Sequence, residues 1–189
     1  MIEAAAALVA WLGAAVVVLA DARRGLALGL ALVTAGLAAL AWGTGQPIGA
    51  IALAAGGMTG ALRCWTAAPG KWGLMPPGST ARLVLCIAAG LLGLWISASA
   101  TAAPGAPVLF AVLVVVGLMA ARVLAGGDVI VDRTAIACLA LALALSPSLA
   151  SSIPTGPAPY VIGALIAAAV IVAPATMPQG AARSGKDGR

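Results

Sequence analysis

The sequence contains no histidine, and only five of its 189 residues are acidic. Without histidine there is no imidazole for haem ligation, for histidine zinc sites or for serine–histidine catalysis. Its three cysteines, Cys64, Cys86 and Cys138, form no CxxC pair, so neither a metal cluster nor a disulfide framework is indicated. The sequence therefore predicts a protein without a bound cofactor or metal and with no catalytic activity of its own.

The chain is rich in apolar residues: 63% of its residues are hydrophobic and 8% are charged. A bilayer core needs about 20 apolar residues per helix. We therefore predict an all-α, polytopic transmembrane bundle, with residues 1–178 as one domain and the polar tail 179–189 as a disordered segment. Seven spans are predicted, at 3–20, 25–42, 47–62, 81–99, 107–125, 129–150 and 158–176.

The ten basic residues fall only in those connections and tails that would lie on one side of a membrane. Short loops rich in lysine and arginine remain in the cytoplasm, so we predict an external N-terminus and a cytoplasmic C-terminus in the plasma (inner) membrane. The residues are scattered rather than arranged in a basic stripe, which indicates the bilayer rather than nucleic acid as the partner. They are Arg23, Arg24, Arg63, Lys71, Arg82, Arg122, Arg133, Arg183, Lys186 and Arg189.

Small residues with GxxxG spacing occur twice, at Gly25 with Gly29 and at Gly56 with Gly60. Such pairs let helix backbones approach closely in lipid, so we predict that they lie at helix contacts. The alternative is chance recurrence in a chain with 24 glycines.

Pro147 and Tyr160 lie near the outer ends of the last two predicted helices, and each predicts a local structural feature. Pro147 lacks an amide hydrogen, so it should kink or stop the sixth helix. Tyr160 follows Pro157 and Pro159 at the start of the seventh helix, a position that favours an aromatic anchor in the headgroup layer.

Three aspartates lie at the cytoplasmic ends of helices. Asp21 follows the first helix and is predicted to pair with Arg24. Asp128 follows two glycines, which is typical of a helix N-cap. Asp132 lies four residues later on the same helical face, where the interpretations are a surface carboxylate that favours the helix N-terminus or a group that handles protons.

The second interpretation of Asp132 depends on its position relative to the membrane, because an ionisable group inside a bilayer is costly and usually functional. Its candidate partners are Arg122 and Arg133. The proton-path candidates are therefore Asp132, Asp128, Asp21, Arg122 and Arg133.

The sequence is also compatible with two other classes of function, an intramembrane aspartyl peptidase and a transporter. Asp21 with Arg23-Arg24, and Gly126-Gly127-Asp128, resemble the two aspartate motifs of prepilin peptidases, although Ala125 replaces the first glycine of the GxGD motif. A two-carboxylate peptidase needs its acids close together. A small stand-alone transporter is the third possibility, but the spans hold few of the polar or broken-helix sites that transporters place near the midplane.

The order of features resembles that of another family, the hydrogenase-4 component E subunits of complex I-like and Mrp antiporter-like membrane arms. The resemblance lies in about seven helices, a basic end to the first helix, a proline-rich inner loop at Arg63–Arg82, and the segment Arg122–Asp132. In that family a glutamate typically opens the sixth helix, and Asp132 is its counterpart here. The resemblance implies a non-catalytic subunit that packs against larger antiporter-like subunits, with any hydrogenase or quinone chemistry on other chains.

Overall fold

A computed structural model describes residues 1–66, 80–100, 105–126, 128–150 and 156–173. The described residues form helices and connections, with no β-strand among them. In chain order the helices are α1 (Ile2–Leu19), α2 (Arg23–Gly43), α3 (Pro47–Thr66), α4 (Thr80–Ala100), α5 (Ala106–Ala125), α6 (Val129–Leu145), α7 (Pro147–Ala150) and α8 (Ala158–Val172).

Six of these elements are long and apolar enough to cross a membrane: α1 to α5, and α6 taken together with the start of α7. Helix α8 is equally apolar but has 15 residues. The protein is therefore an all-helical, multi-pass membrane bundle, as predicted. Three helix ends differ from the predicted boundaries by four or five residues: α3 continues to Thr66, α6 ends at Leu145 and α8 ends at Val172. The predicted tail 179–189 lies outside the described residues.

Turn residues in the sequence explain where the helices stop. Gly45 has φ +76° between α2 and α3, a backbone conformation that suits glycine, and Pro47 then opens α3 at a position where no amide hydrogen is needed. Gly126, with φ +66°, ends α5 in the same way. The predicted interruption at Pro147 is confirmed, because α6 ends at Leu145 and the short α7 begins at Pro147.

Helix α2 lies at the centre of the bundle and α4 at its edge. Helix α2 packs extensively on α1 and α3, and α6 packs on α5 and α8. Within its apolar window α2 is 61% buried, whereas α4 is only 17% buried and contacts mainly α5 and, to a smaller extent, α1. The core consists mostly of leucine, valine and alanine, with Leu30, Leu37 and Leu141 completely buried.

Successive long helices run in opposite directions, so the basic residues gather at one end of the bundle. We call this the charged end. It consists of the C-terminal ends of α1, α3, α5 and α8 and the N-terminal ends of α2, α4 and α6. The described basic residues there are Arg23, Arg24, Arg63, Arg82, Arg122 and Arg133.

Candidate functional site

Asp21 is the centre of an ion-pair cluster that joins three parts of the charged end. Nη1 of Arg82, in the first turn of α4, donates to both carboxylate oxygens of Asp21 at 3.1 and 3.2 Å. Nη2 of Arg122, in the last turn of α5, donates to Oδ1 of the same carboxylate. The predicted partner, Arg24, is wrong, because the fold places the arginines of α4 and α5 against Asp21.

Burial is uneven within this cluster. The Arg122 side chain is 5% exposed, whereas the side chains of Asp21 and Arg82 are 42% and 36% exposed. The Nε atom of Arg122 is also buried and has no hydrogen-bond partner among the residues that the structure describes. Removing one member of a buried ion pair leaves an uncompensated charge, so Arg122 depends on Asp21 more strongly than Arg82 does.

The two arginines that were predicted as partners of Asp132 have other contacts. Arg122 binds Asp21, as described above. Arg133 donates from Nη1 to the carbonyl oxygen of Ala173, at the C-terminal end of α8, over 2.6 Å. A cation at this position is favoured by the negative end of the α8 dipole, so Arg133 fastens α6 to α8.

Asp128 occupies the N-cap position of α6, as its sequence context predicted, but its side chain forms no capping hydrogen bond. Its backbone carbonyl accepts the amide hydrogens of Val131 and Asp132 at 2.9 and 3.1 Å. The carboxylate is exposed. Asp128 therefore starts the helix through its backbone, and its side chain is left facing solvent.

Asp132 lies in the first turn of α6 and is partly buried. Its Oδ1 atom is buried and has no hydrogen-bond partner among the residues that the structure describes. A buried carboxylate oxygen without a donor is costly, and carboxyl groups in such positions are candidates for proton transfer. Of the five proton-path candidates, Asp132 is the one whose buried carboxylate oxygen lacks a donor.

A thiol and a hydroxyl lie close together on α3 and α6, a feature that the sequence analysis missed. Cys64 is a neighbour of the Thr134 side chain and lies within electrostatic range of Arg23. The Thr134 hydroxyl itself donates to the carbonyl of Ile130 at 2.8 Å. All three cysteines are free and buried. In the described ranges, no group of three cysteine, aspartate or glutamate residues could hold a metal ion.

The four glycines of the two GxxxG pairs differ in what surrounds them. A Cβ atom on Gly56 would lie 2.6 Å from the carbonyl oxygen of Ala164 in α8, and one on Gly29 would lie 2.9 Å from that of Gly13 in α1. A Cβ on Gly60 would instead meet the flexible side chain of Ile171 at 2.5 Å. Gly25 is buried in the first turn of α2.

Other close contacts involve glycines outside the GxxxG pairs. A Cβ on Gly36 would lie 2.6 Å from the amide nitrogen of Ala10, and one on Gly49 would lie 2.7 Å from the ring of Tyr160. Seven-residue spacing, from Gly29 to Gly36 and from Gly49 to Gly56, is the sequence signal that would have found them, because residues seven apart share a helical face.

Comparisons with protein-family models, with curated proteins and with solved structures return no match for this chain.

Proposed function

We propose that this protein is a non-catalytic subunit of a respiratory or hydrogenase-like ion-translocating complex in the plasma (inner) membrane. It packs against larger, antiporter-like subunits, in the manner of the hydrogenase-4 component E family that its order of features resembles. The observation that carries the proposal is the buried Oδ1 atom of Asp132, which lies in the first turn of a membrane helix and lacks a hydrogen-bond donor.

The carboxylates of Asp21 and Asp132, both at the charged end, differ in what they can do. Asp21 is held by two guanidinium groups and serves to join α1, α4 and α5. The buried oxygen of Asp132 has no such partner among the residues that the structure describes. Ionisable groups in membrane helices commonly form proton relays. Asp132 is therefore the group through which this subunit takes part in a proton path.

Helix α4 is the face through which the subunit packs against a neighbour. Its side chains Val84, Leu91 and Trp95 are 64%, 64% and 71% exposed, and among the described helices it contacts mainly α5. In lipid, helices associate through close packing and not through a hydrophobic driving force. A partner helix that packs along α4 would supply the contacts that the rest of this chain does not.

The experiment compares Asp132→Asn with Asp128→Asn, which removes the same charge from an exposed position four residues away. Each variant is introduced into the native host, assembly is followed on native gels, and proton translocation is measured in inverted membrane vesicles. We expect Asp132→Asn to lower proton translocation at least tenfold while the complex still assembles, and Asp128→Asn to leave both unchanged. Unchanged translocation in Asp132→Asn would refute the proton-path role.

The subunit role has its own test. A tagged copy expressed with its chromosomal neighbours should co-purify with larger membrane proteins, whereas a stable, partner-free species would count against it.

The peptidase and transporter interpretations stay predictions. The first requires that Asp21→Ala and Asp128→Ala each abolish cleavage of a prepilin-like substrate, and the second requires uptake or efflux by the purified protein in liposomes.

A further inference from the structure

Helix α8 reaches from one end of the bundle to the other with only 15 residues. At the end opposite the charged end, the ring of Tyr160 lies against Gly49, in the first turn of α3. At the charged end, the carbonyl oxygen of Ala173, directly after α8, accepts a hydrogen bond from Nη1 of Arg133, near the start of α6. A bilayer around the bundle therefore has α8 as one of the helices that cross it.

The length of α8 falls short of the thickness of a bilayer. A helix of 15 residues measures about 22 Å, whereas the hydrocarbon core is about 30 Å thick, and any tilt shortens the span further. The neighbouring helix α3 has 20 residues, or about 30 Å. Gly60 of α3 lies beside Ile171, the penultimate residue of α8, so residues 61–66 of α3 extend past the end of α8.

Polar groups place both ends of α8 at the level of the lipid headgroups. The guanidinium group of Arg133 is bonded to Ala173 over 2.6 Å, and moving this charge into hydrocarbon is costly. The other end begins at the N-cap residue Pro157, whose side chain has no atom that could accept a hydrogen bond. The first amide groups of a helix lack intrahelical acceptors, and hydrocarbon offers none. The polar boundaries are therefore no farther apart than the helix is long.

The exposed side of α8 is suited to lipid chains. Large apolar side chains are exposed along its whole length: Val161 (38%), Ile162 (57%), Leu165 (64%) and Val172 (50%). Helices in lipid associate closely through small residues, and Gly163 of α8 is used inside the bundle, where a Cβ atom would lie 2.8 Å from the carbonyl oxygen of Ala140 in α6. Among the described helices α8 packs on α6 and α3, whereas α4 packs mainly on α5 and α1, so their exposed faces are separate.

We propose that α8 thins the bilayer along its exposed face, so that this face takes phospholipids with short or compressed acyl chains. A span that is too short is accommodated by thinning of the bilayer, by snorkelling of the flanking residues or by oligomerisation. The hydrogen bond to Ala173 holds Arg133 at the end of the helix, which opposes snorkelling. Oligomerisation through α8 is disfavoured because its close-packing glycine, Gly163, already lies against α6.

The test measures how deep a nitroxide label lies below the membrane surface in the middle of α8 and in the middle of α4. Leu165 and Leu91 are matched positions, because each is 64% exposed. Leu165→Cys or Leu91→Cys is made in the full chain with its three native cysteines replaced by alanine, labelled in detergent and reconstituted in dioleoyl phosphatidylcholine. Depth is obtained by electron paramagnetic resonance from the accessibility of the label to oxygen and to a water-soluble nickel chelate.

We expect a depth of about 11 Å at position 165 and about 15 Å at position 91, half the length of each helix. In dimyristoleoyl phosphatidylcholine, whose chains are shorter, the depth at 91 should fall, whereas the depth at 165 should stay within about 2 Å because α8 already matches that bilayer. Ile166→Cys and Leu92→Cys form a second pair, at 46% and 57% exposure, for use if a variant of the first pair fails to fold.

Equal depths at the α8 and α4 positions in dioleoyl phosphatidylcholine would overturn the proposal. A label on α8 that neither oxygen nor the nickel chelate reaches would also overturn it, because a second copy of the chain would then cover this face. Both measurements use the protein without other subunits, so neither outcome depends on whether Asp132 carries protons or on which complex the subunit joins.

Discussion

Arg122 and Asp21 form an ion pair between positions 101 residues apart, one in the last turn of α5 and the other in the connection between α1 and α2. Arg82 of α4 binds the same carboxylate, so a single acidic side chain joins the edge helix to the centre of the bundle. Among the described residues, Arg122 is the most buried cation of the charged end, and it lies beside the carboxylate that two arginines hold in position. Because Arg122 binds Asp21, it is not the partner of Asp132 that the sequence suggested.

Asp21→Asn should destabilise the protein, because the buried Arg122 would lose the one charged partner that it has among the described residues. Breaking a buried pair costs about 3–5 kcal/mol, and the partial exposure of Asp21 lowers the expected loss to about 2 kcal/mol. The apparent unfolding temperature in detergent would fall accordingly. Asp128→Asn is the control, since that carboxylate is exposed and forms no capping bond, and it should change stability by less than about 0.5 kcal/mol. Equal effects of the two substitutions would show that the ion pair is not structural.

Asp132→Asn should behave in the opposite way to Asp21→Asn. The buried Oδ1 atom of Asp132 has no donor among the described residues, so burial of this oxygen is not offset by a hydrogen bond. Asparagine keeps the shape and removes the charge, and we expect stability to stay equal or to rise by about 1 kcal/mol. A loss of more than about 1 kcal/mol in the same unfolding assay would mean that the carboxylate has a stabilising partner. Measuring both variants in one detergent separates a structural aspartate from one kept for function.

The helices could be predicted from the sequence because apolar runs and turn residues act locally. Each long helix required about 20 apolar residues, and Pro47, Gly126 and Pro147 mark boundaries through their own backbone chemistry. The position of Asp128 at the start of α6 followed from the same local rules. In the described ranges the helix boundaries lie within five residues of the predicted ones, although the seventh predicted span is a helix of 15 residues.

Contacts between distant helices could not be predicted in this way. Arg24 is three residues from Asp21 in sequence, but packing of α1 against α4 and α5 brings Arg82 and Arg122 to that carboxylate. Tyr160 was predicted as an interfacial anchor and is wrong, because its ring is completely buried against Gly49 of α3. A single sequence shows which residues suit the headgroup layer, but it does not show that a neighbouring glycine opens a space for an aromatic ring.

Replacing a glycine that contacts a neighbouring helix should lower the stability of the protein. Replacing a glycine with open space around it should raise the stability. Gly36→Ala places a Cβ atom 2.6 Å from the backbone nitrogen of Ala10, which forces α1 and α2 apart and should cost about 2 kcal/mol or more. Gly117→Ala meets nothing within 4 Å and should stabilise α5 by up to about 1 kcal/mol, the difference in helix propensity. Thermal unfolding of both variants checks the pair, and a stable Gly36→Ala protein would contradict the close crossing of α1 and α2.

Tyr160→Phe should leave the protein as stable as before or slightly more stable. The hydroxyl of Tyr160 is buried and has no hydrogen-bond partner in the described part of the chain, so its removal should relieve a desolvation cost of about 1 kcal/mol. Tyr160→Ala should instead cost about 3 kcal/mol or more, because the ring fills the space over Gly49. If Tyr160→Phe were the more damaging of the two, the hydroxyl would have to hold a partner outside the described residues.

The orientation of the bundle is open to a direct chemical test. The charged end should face the cytoplasm, since short arginine-rich connections are retained there, and the turn at Thr44 should then face outward. In a variant whose three native cysteines are replaced by alanine, a single cysteine is introduced either at Thr44 or at Arg63, both of which are exposed. In intact cells a membrane-impermeant maleimide should label cysteine at 44 and leave cysteine at 63 unlabelled until the membrane is permeabilised. The reverse pattern would place the buried Arg122–Asp21 pair, and Asp132 with it, on the external side.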